Sequence, residues 1–180
     1  MKIVRIIDFL LALFFLILFS PLIIILILLI YFSSFSNPFF LQTRTGKNLK
    51  KFKIIKFKTM KEKNNDISDL DRVTFIGGIL RKTSLDELPE LFNILKGDMT
   101  FIGPRPLLPE YDSYYNNNQL MRFRVLPGIT GLAQVNGRNN LSWEEKFDYD
   151  TNYVLNKNFK LDFIILIKNI KIIFNFKIVN

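Results

Sequence analysis

The sequence predicts an α+β protein, mainly helical, in two parts. Residues 1–36 read as a re-entrant membrane helix, and residues 37–180 as a compact cytoplasmic domain with a small β-hairpin and interfacial amphipathic helices. Three observations carry this expectation. Residues 9–32 form an apolar run broken only by Ser20 and Pro21. The whole net charge of +9 lies beside that run, because residues 1–63 hold 11 Lys and Arg against only Asp8 and Glu62 while the remainder is balanced. Beyond the run, apolar residues recur first at the spacing of strands and then at that of helices.

As one helix, the 24 residues of the run would be about 36 Å long at ~1.5 Å per residue, enough to cross a ~30 Å hydrocarbon core. Pro21 complicates a simple span. It removes a backbone donor and pushes its ring against the carbonyl of Ile17, so a kink is expected, and Ser20 can bond back to an upstream carbonyl to ease it. Both flanks are basic, with Lys2 and Arg5 before the run and Arg44, Lys47, Lys50 and Lys51 after it. Positive flanks favour the cytoplasmic side. A straight helix cannot put both there, whereas one that enters, bends at Ser20-Pro21 and leaves by the same face can. A spanning helix and a soluble core helix are the alternatives. The charge suits anionic headgroups or an anionic lipid substrate, and a chain tethered by such a run is poorly placed to bind nucleic acid.

The elements follow in order. Asn37-Pro38 marks a turn. Residues 39–44 and 49–59 read as two strands around the loop Thr45-Gly46-Lys47-Asn48. The second strand partly alternates lysine with apolar residues, which suits either a lysine-protected edge or lysines facing phosphate. Residues 61–72 are polar and loop-like. Leu88, Leu91, Phe92 and Leu95 have helical spacing, and Gly97 is a natural stop. Residues 103–109 cannot be regular helix, 111–124 read as helix, and 127–138 as a glycine-rich loop. Ser142 and Glu145 form a capping-box pair opening a helix to residue 156. Residues 161–178 are amphipathic, with Phe163, Ile164, Ile167, Ile170 and Phe174 opposite Lys168, Lys171 and Asn175, which suits the membrane interface or packing on the domain.

The chain has no cysteine and no histidine. That excludes disulfides, Cys/His zinc sites and every nucleophile that needs a histidine base. Chemistry must come from carboxylates, lysines, tyrosines or hydroxyls, and any metal site must be oxygen-lined. Asp86-Glu87 is the sharpest candidate. Ser84 and Glu87 could simply form a capping box, but Pro89 fits better if the helix starts one or two residues later, which puts Asp86 among free amides at the positive end of the dipole. An ionised aspartate there can attack phosphorus, and the neighbouring glutamate can hold Mg²⁺ against a diphosphate. Arg105 lies between two prolines in Gly103-Pro104-Arg105-Pro106, a stiff turn that suits bidentate phosphate binding. Gly128 to Arg138 offers glycines, amides and an arginine that could take a nucleotide. Asp150 could add a metal ligand, although a solvated helix acid is the plainer reading.

Several stretches occur together in a set order: Asp8 with Ser20-Pro21, Lys56-Phe57-Lys58-Thr59-Met60, Arg81 through Asp86-Glu87-Leu88, Leu91 through Met99, Gly103-Pro104-Arg105-Pro106, Pro127-Gly128-Ile129-Thr130-Gly131, Gln134-Val135-Asn136-Gly137-Arg138, and Asp150 with Tyr153-Val154. In these the chain resembles the bacterial sugar transferases, small monotopic polyprenyl-phosphate phosphoglycosyl transferases of the cytoplasmic face of the bacterial inner membrane. The resemblance implies transfer of a phospho-sugar from a UDP-sugar, usually N-acetylated, to undecaprenyl phosphate with release of UMP, at the start of glycan assembly. It implies that Asp86 is the nucleophile of a covalent intermediate, that Glu87 binds Mg²⁺ with Asp150 as a further ligand, and that Arg105 holds the diphosphate. Arg81, Lys56 and Lys58 would face the lipid phosphate, and Gln134, Asn136 and Arg138 the nucleotide. A non-catalytic membrane-anchored module and a nucleotide-sugar hydrolase are the rival readings.

Overall fold

A computed structural model describes residues 2–34, 36–62, 68, 71–137 and 140–174. It is mainly helical, with two small two-stranded sheets. Helix α1 (Lys2–Leu18) meets α2 (Ser20–Ser34) at a bend of 63°. The chemistry of the bend is local. Phe19 N donates to Phe15 O and Ile23 N to Phe19 O, both at 2.8 Å, so the ladder continues on either side. Pro21 cannot donate to Ile17 O, and the Ser20 hydroxyl does so instead at 2.8 Å. No single helix among the described residues is long and apolar enough to cross a bilayer, though the bent pair together has the length and composition.

Both arms of the pair pack on the rest of the chain. Ala12 of α1 is buried against Phe52, Ile54, Leu91, Ile94 and Met99. Ile23, Leu26 and Ile30 of α2 are buried with Phe57 and Leu80, and Leu85 and Leu88 pack against the same cluster. Two polar residues tie α1 down further. Arg5 donates to Ile94 O, which also accepts from Gly97 N, and, at 2.7 Å, to Leu95 O at the end of a helix. The Thr100 hydroxyl donates to Asp8 Oδ2 at 2.7 Å.

Strands β1 (Phe39–Thr45) and β2 (Lys51–Phe57) form the expected antiparallel hairpin, with Arg44 opposite Phe52. Its turn is tight: Asn48 and Leu49 both take left-handed φ, 54° and 60°. The alternation of β2 sends Phe52 and Ile54 inward and leaves Lys51 and Lys53 exposed. Lys56 shares parity with Phe52 and Ile54 and is partly buried at the end of that row. A second sheet pairs β3 (Thr100–Ile102) in parallel with β4 (Gly128–Thr130).

Helix α3 (Phe75–Thr83) is capped by the Thr74 hydroxyl, which accepts from Gly77 N. Ser84 then turns left-handed at φ 57° and ends α3. A single 3₁₀ turn, Leu85–Glu87, runs through Leu88 and Pro89 into α4 (Glu90–Lys96), which Gly97 ends at φ 91°. Ser84 makes no side-chain cap, so the capping box with Glu87 does not form. The buried face of α4 is Glu90, Leu91, Asn93 and Ile94, whereas Phe92, expected inside, is 40% exposed. Asn93 explains the rotation. Its carboxamide accepts from Ile55 N at 3.0 Å and donates to Lys53 O at 2.7 Å, and so pairs the free edge of β2 as a third strand would.

Two further sequence expectations are corrected. Residues 111–124 are not one helix but two 3₁₀ segments, Pro109–Tyr114 and Gln119–Arg124. Between them Asn116 and Gln119 exchange backbone-to-side-chain bonds at 3.0 and 2.9 Å, which compete with helical pairing. The glycine-rich stretch 127–138 is not all loop, because it supplies β4 and the short helix α5 (Leu132–Asn136). Its glycines serve close packing: a Cβ on Gly128 would collide with Gly103 N, and one on Gly131 with Gly103 O. Helix α6 (Trp143–Asn156) carries the expected capping box, with Ser142 N to Glu145 Oε2 at 2.7 Å and Glu145 N to Ser142 Oγ at 3.1 Å. Helix α7 (Phe159–Phe174) buries Ile165, with Leu161 and Ile172 packed beside it, while Phe163, Ile164, Ile167 and Ile170 point outward. It therefore has a packing face and a separate exposed apolar face. Asn175 lies outside the described residues.

Candidate active site

The Leu85–Glu87 turn places Asp86 and Glu87 where the chain enters α4, above the end of β2. Lys56, near the end of its strand, bridges two carboxylates: its Nζ lies 2.6 Å from Glu87 Oε1 and 3.0 Å from Glu90 Oε1. Arg105 reaches the same Glu87 oxygen with both terminal nitrogens at 3.4 Å. Lys56, Glu87 and Arg105, each chosen from sequence, thus meet in one cluster. Asp86 adjoins it, with Lys56 and Arg81 close enough to act on its charge.

The electrostatics differ from the sequence expectation at Asp86. A helix start was expected to keep it readily ionised. Burial instead pushes its carboxyl up, and the charge of Glu87 adds to this, against opposing pulls from Lys56, its own amide and Arg81. Burial works on Glu87 in the same sense, but Arg105 and Lys56 outweigh it and hold that carboxyl below its ordinary value. Glu90, 2% exposed, goes the other way: burial and the neighbouring Glu87 charge raise it to about 7 despite Lys56. Three adjacent acids are therefore set to different proton affinities by position alone.

The loop carrying Arg105 is fixed from behind. The Gly103 and Gly128 amides donate to Thr130 O at 2.9 Å and Pro104 O at 3.1 Å. Arg122 is 4% exposed, donates to Arg105 O at 2.6 Å and pairs with Asp150 Oδ2 at 2.9 Å. The rings of Tyr115, Phe123 and Phe147 surround its guanidinium. The structure thus gives Asp150 a buried partner. Burial raises its carboxyl to about 6 against the pull of Arg122. Through Arg122 it supports the backbone of Arg105.

The other candidates are dispersed. Arg81 Nε donates to the Thr59 hydroxyl at 2.9 Å, on the Asp86 side of the cluster. Lys58 turns away, bonding Ser36 at 3.1 Å and Glu62 at 3.3 Å where the chain leaves α2. Gln134 donates to Ile129 O at 3.3 Å. Asn136 donates to Leu132 O at 2.8 Å and accepts from Lys168 of α7 at 3.1 Å. These bonds belong to the packing of α5 and do not reach the Glu87 cluster. Arg138 lies outside the described residues. Sequence reasoning missed Glu90, Arg122 and Arg44. Only Glu90 carried a signal, a carboxylate one turn before Ile94 in an otherwise apolar stretch.

Among the described residues no three acidic side chains converge on one point. Glu87, the residue expected to bind Mg²⁺, has its Oε1 engaged by Lys56 and Arg105. Asp150, the further ligand expected, is paired and buried with Arg122.

The site is an adjacent Asp-Glu pair flanked by lysine and arginine, on a turn whose Leu85 packs against the apolar bent helix pair. Comparison with known sequences gives the family. The profile of the family described as bacterial sugar transferase matches residues 1–176, and the chain belongs to that family. It is 45% identical over 166 residues to an uncharacterized sugar transferase, EpsL, of Bacillus subtilis, covering 90% of this chain and 82% of the relative. It is 36% identical over 176 residues to the exopolysaccharide production protein ExoY of Rhizobium meliloti, covering 86% and 78%. It is 41% identical over 142 residues to the UDP-glucose:undecaprenyl-phosphate glucose-1-phosphate transferase of Caulobacter vibrioides, covering 74% and 53%. The protein is thus a sugar transferase by family.

Proposed function

We propose that this enzyme moves a phospho-sugar from a UDP-sugar to undecaprenyl phosphate and releases UMP, as the first membrane step of glycan assembly. The observation that carries the reading is the cluster of Lys56, Glu87 and Arg105 beside Asp86, two cations poised on one carboxylate next to a second carboxylate. Both substrates are phosphate anions, so the task is positioning and charge neutralisation. Asp86 attacks the β-phosphorus of the donor. An Oδ–P bond forms, the P–O bond to the nucleotide breaks, and UMP leaves with its electrons. The lipid phosphate oxygen then attacks the same phosphorus, and the Asp86 carboxylate departs. Arg105 holds the diphosphate, Lys56 keeps Glu87 ionised and in place, and Arg81 receives the incoming lipid phosphate. Mg²⁺, bound through Glu87, would neutralise phosphate charge. The sugar is read as N-acetylated from the sequence resemblance alone; the Caulobacter relative is named for glucose.

The bent pair α1–α2 is read as re-entrant, with the domain on the cytoplasmic face. Its outward residues are apolar, among them Ile17 at 66% and Phe32 at 63% exposure, and α7 adds an apolar face with Phe159 and Phe163. The test is UMP release from a panel of UDP-sugars, with and without undecaprenyl phosphate. Lipid-dependent release is expected. Release over many turnovers without lipid would identify a hydrolase, and no release with any donor would leave a non-catalytic module. The variant Asp86→Asn should abolish both UMP release and any covalent phospho-sugar adduct seen by intact mass. An adduct on that variant would assign the nucleophile elsewhere.

A further inference from the structure

Among the described residues, one cation of a cleft beside the cluster has no carboxylate partner. Arg44, at the end of β1, donates to Gln42 Oε1 at 2.6 Å and to Pro106 O at 3.4 Å, while its buried Nε has no partner. It forms no ion pair with a carboxylate of the described residues. It shares a cleft with Lys56, Glu90 and Arg105. Arg105 is close enough for the two guanidinium charges to oppose each other, and burial together with that repulsion lowers the Arg44 pKa. Two guanidiniums and an ammonium thus face a cleft whose lining carboxylate, Glu90, is already engaged by Lys56, as is Glu87 nearby. Such a concentration of like charge is unfavourable until an anion fills it.

The order of groups gives the site a direction. Asp86 feels Glu87, Lys56 and Arg81. Arg44 feels Arg105, Glu90 and Tyr111. Lys56, Glu87 and Arg105 lie between the two ends. The Asp86 end adjoins the membrane-helix pair, since Leu85 and Leu88 pack in the cluster of Ile23, Leu26 and Ile30. Phe39, at the start of β1, packs there too, and Arg44 lies five residues further along the strand, about 17 Å away at ~3.4 Å per residue.

The geometry points to Arg44 as a second phosphate-binding residue, one that clasps the nucleotide-side phosphate of the donor and of the nucleoside monophosphate product at the end of the cleft remote from α2. This rests on the UDP-sugar reading above and deepens it: the water-soluble end of the donor lies toward the hairpin tip, and the lipid phosphate comes from the α2 side, past Arg81. The guanidinium fork suits two phosphate oxygens at once, which a lysine cannot match.

Binding of UMP, UDP and uridine to the detergent-solubilised full chain, with KM values for UDP-sugar and undecaprenyl phosphate, tests it. Arg44→Gln should weaken UMP and UDP binding by about tenfold to a hundredfold, raise KM for the UDP-sugar, and leave uridine binding and KM for the lipid phosphate unchanged. Arg44→Lys keeps the charge and should fall between the two, which guards against a glutamine variant that folds poorly. If wild type and both variants bind UMP equally, Arg44 is not part of the site. If Arg44→Gln raises only the lipid KM, the residue belongs to the acceptor and the assigned direction is overturned. If the wild type binds no uridine nucleotide, it is the UDP-sugar reading itself that fails.

Discussion

At the scale of single residues, the site depends on how one lysine divides itself among acids. Lys56 serves Glu87 and Glu90 together. Glu87 stays ionised because Arg105 also faces it, while Glu90, buried and beside that charge, rises from 4.5 to about 7. The sign of the consequence follows. A carboxyl whose folded pKa is raised favours the protonated state on folding, so its stabilising contribution is complete below about pH 4.5 and is lost as pH rises through about 7. Asp150, raised to about 6, acts in the same direction over an overlapping window. The melting temperature of the ligand-free protein in detergent should therefore fall between pH 5 and pH 8. Glu90→Gln should flatten that slope, and a slope identical to wild type would show that Glu90 titrates in its ordinary range.

At the scale of elements, the site is a junction held by polar contacts between pieces far apart in sequence. Asn93 of α4 bonds the open edge of β2. Arg5 of α1 caps the other end of α4. Arg122 joins α6, through Asp150, to the loop of Arg105. The last is the most exposed to mutation, because both partners are nearly fully buried. Asp150→Ala strands a buried guanidinium and should cost about 3–5 kcal/mol in unfolding free energy. The pair Asp150→Leu with Arg122→Met should recover much of that stability and still lose activity, since nothing then donates to Arg105 O. If Asp150→Ala melts like wild type, the ion pair is not what holds α6 to the loop.

At the scale of the whole molecule, the positive charge and the outward apolar surface belong to the same part of the chain. Residues 1–63 carry the entire excess of +9. The α1–α2 pair exposes much of its apolar surface, yet also supplies Ala12, Ile23, Leu26 and Ile30 to the core. A helix pair that both enters the bilayer and packs on the domain would set the depth of Asp86 relative to a lipid phosphate. The chain lacks cysteine, so Lys2→Cys and Lys47→Cys can each report topology through impermeant labelling of oriented vesicles. Both should label from the same side, and labelling from opposite sides would make the pair a span. Pro21→Leu restores the backbone donor that Ile17 O lacks and should move position 2 to the opposite side. An unchanged pattern would mean that packing, not the proline, fixes the bend.

Much of this was legible from the residues in order. The apolar run with its proline implies a bend, the alternation after residue 38 a hairpin, and Ser142 with Glu145 a helix start, because each depends on neighbours a few positions apart. Asp86, Glu87, Lys56 and Arg105 could be named as candidates because their residue types and motifs are local. What the sequence alone could not determine was which candidates meet. Lys56 turns inward while Lys58 turns away, Asp150 is committed to Arg122, and the glycines of residues 128–131 serve close packing against Gly103. Arg44 and Arg122 emerge as site residues only in three dimensions. Charge balance and burial are properties of what surrounds a side chain, and those surroundings come from segments 30 to 90 residues away, so only the tertiary structure decided how the charges of this site are paired and which one was left open.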